Sequence, residues 1–140
     1  MDIEKWLNRG YKLNLEINEL LRAQQYALLS ATDTVAAPSG EKVQTSRKNT
    51  SEQRFINYAE YSKLIDDRID ELYALRKEIL ETINRVDDSV SRTLLIGRYI
   101  NFKTWERISE DMHYSREWIT KKLYPKAIKE ISKIVYKSSL

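Results

Sequence analysis

Cysteine is absent from the 140 residues, glycine occurs only three times and proline only twice. Without a thiol there is no disulfide, no thiolate metal centre and no cysteine nucleophile. Long stretches free of glycine and proline favour helices over turn-rich sheets. No run approaches the roughly 20 apolar residues that span a bilayer. The opening MDIEKW lacks a secretory-signal pattern. These absences predict a soluble, cytoplasmic chain with no membrane partner. Histidine is equally scarce, since His113 stands alone. With no histidine-based catalytic set, no glycine-rich phosphate loop and no nucleophile elbow, the chain is expected not to be an enzyme and to need no cofactor. Glu110 and His113 have the Glu-x-x-His spacing of a carboxylate metal site, but no second copy completes it. The acidic run at 66–71 reads as a solvated helix face. No metal site is assigned.

Hydrophobic residues make up 41% of the chain and charged ones 32%, enough apolar mass for a core. The net charge of +3 is unevenly spread. Residues 1–50 carry 7 basic and 6 acidic groups, residues 51–91 carry 6 and 10, and residues 92–140 carry 11 and 5. The last third is therefore strongly basic, which points to an anionic partner there.

Apolar spacing predicts an all-α chain. Ile3, Trp6, Leu7, Leu13, Ile17, Leu20, Leu21 and Leu28 form one stripe, so residues 2–30 read as a long helix capped by Asp2. Residues 31–53 break the pattern around Pro38, Ser39 and Gly40, and read as a mobile loop carrying Lys42, Arg47 and Lys48. Tyr58, Ile65, Leu72, Ile79 and Val86 recur every seven residues, the repeat of a coiled-coil-like seam over 51–86. Two such helices predict an antiparallel hairpin over 1–88, able to pair with a second copy. A second domain, 89–140, begins at a helix from Val90 to about Ile100 capped by Asp87, Asp88 or Ser89. It ends in a basic amphipathic helix with Ala127, Ile128, Ile131, Ile134 and Val135 inward and Lys126, Lys129, Lys133 and Lys137 outward.

Between them lies NFKTWERISEDMHYSREWITKKLYPK, residues 101–126. A helix-turn-helix needs an apolar inner face, a small residue at the crossing, a tight turn and an N-capped second helix. Thr104 caps the first helix, with Trp105, Ile108 and Met112 inward and Ser109 at the crossing. His113 and Tyr114 form the turn, with Tyr114 directed inward. Ser115 caps the second helix, which Ile119 and Leu123 anchor. Arg116, Glu117, Thr120 and Lys121 then face outward, with Trp118 and Lys122 at the border of that face. Long polar side chains at a helix N-terminus suit the major groove, where base edges and phosphates lie within one reach. Pro125 removes a helical donor, so the second helix is expected to stop near Leu123 and a separate one to open there. A helical corner packed for structural reasons alone would show much of the same pattern.

Arg98, Tyr99, Trp105, Glu106, Ile108, Ser109, Met112, Tyr114, Ser115 and Ile119 resemble the helix-turn-helix of sigma-factor region four. The stretch is most similar to that of phage-encoded late-transcription regulators of the ArpU and RinA type. The resemblance covers residues 90–131, and departs from the pattern in three places. His113 stands where glycine is usual, Pro125 falls inside the second helix, and Ile119 to Ala127 is one residue longer. It implies a sequence-specific regulator of transcription that binds double-stranded DNA. In that reading Arg116, Glu117, Thr120 and Lys121 meet bases, and Ser115, Lys122 and Lys126 meet phosphates, with Trp118 alongside. RNA polymerase or another host protein is a further expected partner, and a homodimer forms through the hairpin. The rival is a phage inhibitor or adaptor of the anti-sigma or anti-CRISPR kind that binds a host protein.

Overall fold

A computed structural model describes the backbone of residues 2–32 and 41–138, and the side chains of 2–29 and 51–138. The described chain is all-α, with no strand. Helices α1 (Ile3–Leu7), α2 (Arg9–Thr32) and α3 (Glu41–Ile83) are followed by α4 (Ser89–Leu95), α5 (Trp105–Met112), α6 (Arg116–Trp118) and α7 (Tyr124–Ser138). Asp2 caps α1 as its spacing predicted, accepting from the backbone N–H of Glu4 at 3.0 Å. The long first helix is divided at Asn8, which ends α1. The third helix begins at Glu41 rather than near residue 51, ten residues inside the expected loop. The expected loop positions 33–40 lie outside the described residues, as do the side chains of Lys42, Arg47 and Lys48.

Contacts group the chain into two compact units, Asn14–Glu71 and Met1–Leu13 with Leu72–Leu140, and not at residue 88. Within Asn14–Glu71, Arg68 pairs with Glu16 at 2.6 Å and Gln24 bonds to Ser62. The partner number falls as the first rises, so the two helical segments run antiparallel. Ile17 and Ile65 are buried between them, but Leu21 and Phe55 are exposed. The apolar stripe of α2 is therefore wider than the face it buries, which is why Leu21 and Leu28 do not join the core.

The second unit has one core. Ile3 and Leu7 meet Ile79, Ile83 and Val86, and with them Leu94, Leu95, Tyr99, Ile108, Ile119, Ala127, Ile131 and Val135. Asp88 caps α4, receiving hydrogen bonds from the Ser91 backbone and hydroxyl at 3.2 and 2.9 Å. These bonds hold its carboxyl below the usual carboxylate range. Past Leu95 the helix widens over Ile96–Ile100, where the Asn101 N–H reaches back five residues to the Ile96 carbonyl at 3.0 Å.

A second wide turn corrects the expectation at Pro125. The helix does not stop near Leu123. Trp118, Ile119 and Tyr124 all keep right-handed helical angles, and residues 119–123 form a π-helical turn in which the Tyr124 N–H bonds to the Ile119 carbonyl. Ile119 and Ala127 are eight residues apart, which on a regular helix separates them by about 80°. A π-turn absorbs one extra residue, and the effective spacing of seven brings them within about 20° of each other. Both are then fully buried. The widened turn also lies over the carbonyls that the ring of Pro125 would crowd, where a regular helix would lose about 3 kcal/mol.

Both the shared core and the helical register are open to test. Leu7→Ala, distant in sequence from 89–140, is expected to lower stability by about 2–5 kcal/mol in urea denaturation, as for any buried leucine. Deleting Lys122 together with Pro125→Ala restores regular helical register and should leave a melting midpoint at or above the wild type. Deleting Lys129 with the same Pro125→Ala rotates the stripe of α7 by about 100° and should abolish the cooperative melt. Equal loss of stability in the two deletions would contradict the register account.

Candidate nucleic-acid interface

Helices α5 and α6 are joined by three residues, each with a local reason for its geometry. Thr104 opens α5 by accepting from the Arg107 N–H at 3.1 Å. His113 ends it in the left-handed region, at φ 59° and ψ 35°, the conformation that glycine supplies more cheaply. Ser115 opens α6 by accepting from the Trp118 N–H at 3.1 Å. Ser109, expected as a small residue at a crossing, has a more specific part: its hydroxyl donates to the Tyr114 carbonyl and ties α5 to the turn.

Behind the turn, the scaffold is aromatic. The Arg98 guanidinium stacks 4.5 Å above the Trp105 ring, and Trp105 meets Tyr124 edge-on with centroids 4.9 Å apart. The Tyr124 hydroxyl bonds to that of Tyr99 and donates to Glu4 at 3.3 Å. Burial raises the pKa of both tyrosines. This chain of contacts fastens α1, the end of α4 and the start of α7 together. Lys103 reaches Asp111 at 2.8 Å and holds that carboxyl below its ordinary range, bracing the loop before α5.

The expected reading residues divide into two groups. Arg116, Glu117, Trp118, Lys121 and Lys122 are exposed on α6 and its π-turn, as their spacing predicted. Thr120 is not. It is half-buried, and its hydroxyl donates back to the Arg116 carbonyl at 3.0 Å. The exposed cations are also partnered. Arg116 lies 3.6 Å from Glu106 and Lys121 lies 2.8 Å from Glu117. Lys126 sits 3.6 Å from Asp88, the cap of α4. Among the described residues Lys122 holds no ion pair. Exposed pairs of this kind are worth only about 0–1 kcal/mol and are easily exchanged for a phosphate.

Tyr114 departs from its expected inward direction. It is 42% exposed, and Trp118 is 48% exposed. Both border an open hollow of about 550 Å³ that Asp88, Val90, Leu123 and Lys126 also line. Ile108 and Ile119, the other inward positions of the turn, are buried as expected, each at most 2% exposed.

Sequence reasoning missed the Tyr99–Tyr124 pair, the ion pair of Lys126 with Asp88 and the partners of Arg116 and Lys121. The i,i+4 spacing of Glu117 and Lys121 was a legible signal for one of these. The others join residues that only the fold brings together. Among the described residues no cluster of three metal-ligating side chains forms, and no helix is long and apolar enough to cross a membrane. Comparison with protein-family models, with curated proteins and with solved structures gives no match.

The turn geometry yields its own test. His113→Val places a β-branched residue at positive φ and should cost roughly 1–2 kcal/mol. His113→Gly should leave stability within about 1 kcal/mol of wild type. Ser115→Ala should cost about 1 kcal/mol through removal of the cap. Thermal denaturation of the three variants checks the order.

Proposed function

We propose that this chain is a sequence-specific DNA-binding regulator of transcription, of the phage type that its α5–α6 segment resembles. The observation that carries the reading is the three-residue turn. It launches an N-capped helix whose first exposed side chains are Arg116, Glu117 and Trp118, with Lys121 next. These groups suit base edges and phosphates at the same insertion point. Residues 92–140 supply an excess of six positive charges, 11 basic against 5 acidic, to draw in the duplex. Arg116, Glu117 and Lys121 meet bases, while Ser115, Lys122 and Lys126 meet phosphates.

A homodimer through the Asn14–Glu71 segments extends this reading, and so does contact with RNA polymerase. The exposed Leu21, Tyr26, Phe55 and Ile56 support a partner on those helices. Two linked heads also multiply the affinity of one short reading helix. A second reading, an adaptor that binds a host protein, is favoured by the hollow beside Tyr114 and Trp118, since exposed tryptophan and tyrosine are enriched where proteins meet.

Gel retardation separates the two readings. The DNA binder shifts random duplex at about 50 mM salt and loses affinity steeply as salt rises. Arg116→Ala with Lys121→Ala weakens the shift by at least about tenfold, because a good side-chain pairing with a base edge is worth about 1–3 kcal/mol. An unshifted duplex at low salt removes the DNA reading and leaves the adaptor.

A further inference from the structure

The outward edge of α7 has a charge pattern that the reading helix does not account for. Lys129, Lys133 and Lys137 are exposed, and among the described residues none of them holds an ion pair. Each stands four residues from the next, where like charges on a helix repel. Ala127, Ile131 and Val135 occupy the opposite, buried side. Glu130 is the one acid of α7, and it turns toward Lys126 at 4.0 Å. A row of uncompensated lysines destabilises a free helix slightly, and an anion along the row relieves that cost.

Continuity of the helix gives the row its place. Because the π-turn carries the backbone through Pro125, Trp118, Lys122, Lys126, Lys129, Lys133 and Lys137 follow one another at spacings of four, four, three, four and four. Lysines four residues apart advance about 6 Å along the axis. The row therefore presents a linear run of positive charge, the kind of surface that a phosphate backbone neutralises.

We propose that Lys129, Lys133 and Lys137 form a second phosphate-binding surface, which grips DNA backbone outside the segment met by α6. The proposal rests on the DNA-binding reading and extends its footprint. Lysine suits this task, because a point charge on a flexible stem follows a backbone without demanding a base.

The test uses the whole chain, and its probes are random duplexes of about 12 and about 30 base pairs, titrated by fluorescence anisotropy across about 50–200 mM salt. For wild type, the slope of log affinity against log salt should be steeper on the long duplex by about 2–3, at roughly 0.9 per phosphate contact. In the variant Lys129→Gln, Lys133→Gln, Lys137→Gln, the long-duplex slope should fall to the wild-type value on the short one, with an unchanged melting midpoint. Equal wild-type slopes on both lengths, or a variant that keeps the wild-type slope, overturns the second surface and leaves the reading helix intact. Failure of wild type to bind either duplex overturns both. A second head of a dimer would also steepen the wild-type slope on the long duplex, so the triple variant decides the matter, and its melting midpoint shows that it is folded.

Discussion

Ile119 and Ala127 must both lie on the buried side of one helix, and the rest of the C-terminal unit depends on how that is achieved. Their eight-residue spacing is one too many for regular helical register, and a proline lies between them. A helix break at Pro125 would answer both difficulties but would detach α7 from α6. The π-turn over 119–123 answers them without a break. It brings Ile119, Ala127, Ile131 and Val135 against one core and keeps α6 rigidly continuous with the helix that buries one side along most of its length. A helix of three residues would have little stability of its own, because isolated short helices are marginal in water. Packing of α7 is what holds Arg116, Glu117 and Lys121 in place.

That core is not local. Ile3 and Leu7 from the first helix, Ile79 and Ile83 from the end of the third and Val86 from the turn after it fill it together with the helices around the turn. The Glu4–Tyr124–Tyr99 contacts add a polar seam to the same junction. The helices around the turn thus share their core with Ile3, Leu7, Ile79, Ile83 and Val86, although the corner has the local signals of an independent module. The boundary expected near residue 88 marks a change of sequence pattern. The compact units fall elsewhere, because Ile3, Leu7, Ile79, Ile83 and Val86 are buried in one core with the helices around the turn.

Much of the local structure was legible. The caps at Asp2, Thr104 and Ser115, the turn at His113 and the seven-residue seam through Ile65, Leu72, Ile79 and Val86 all follow from short-range rules. Exposure of Arg116, Glu117, Trp118, Lys121 and Lys122 was readable from spacing alone. What spacing cannot show is competition for partners and space. Thr120 is at an outward position by periodicity, but a hydroxyl within reach of a carbonyl four residues back satisfies itself there. Tyr114 was assigned to the interior, and it stands at the mouth of an open hollow instead. The cations of α6 are held by Glu106 and Glu117 in the free chain, so a polyanion that engages them exchanges one ion pair for another. Any net affinity comes mainly from released counterions and from the unpaired lysines.

By itself the sequence determined the helical class, the positions of most caps and the basic character of the last third, because each depends on residues within one or two turns of one another. It also contained the signs of trouble at Pro125: a proline, and one residue too many between Ile119 and Ala127. Only the tertiary structure decided how that trouble resolves. A break and a π-turn satisfy the local rules about equally. The choice belongs to burial, since only the continuous helix puts Ile119 and Ala127 into a core that Leu7, Ile83 and Leu94 complete from distant parts of the chain.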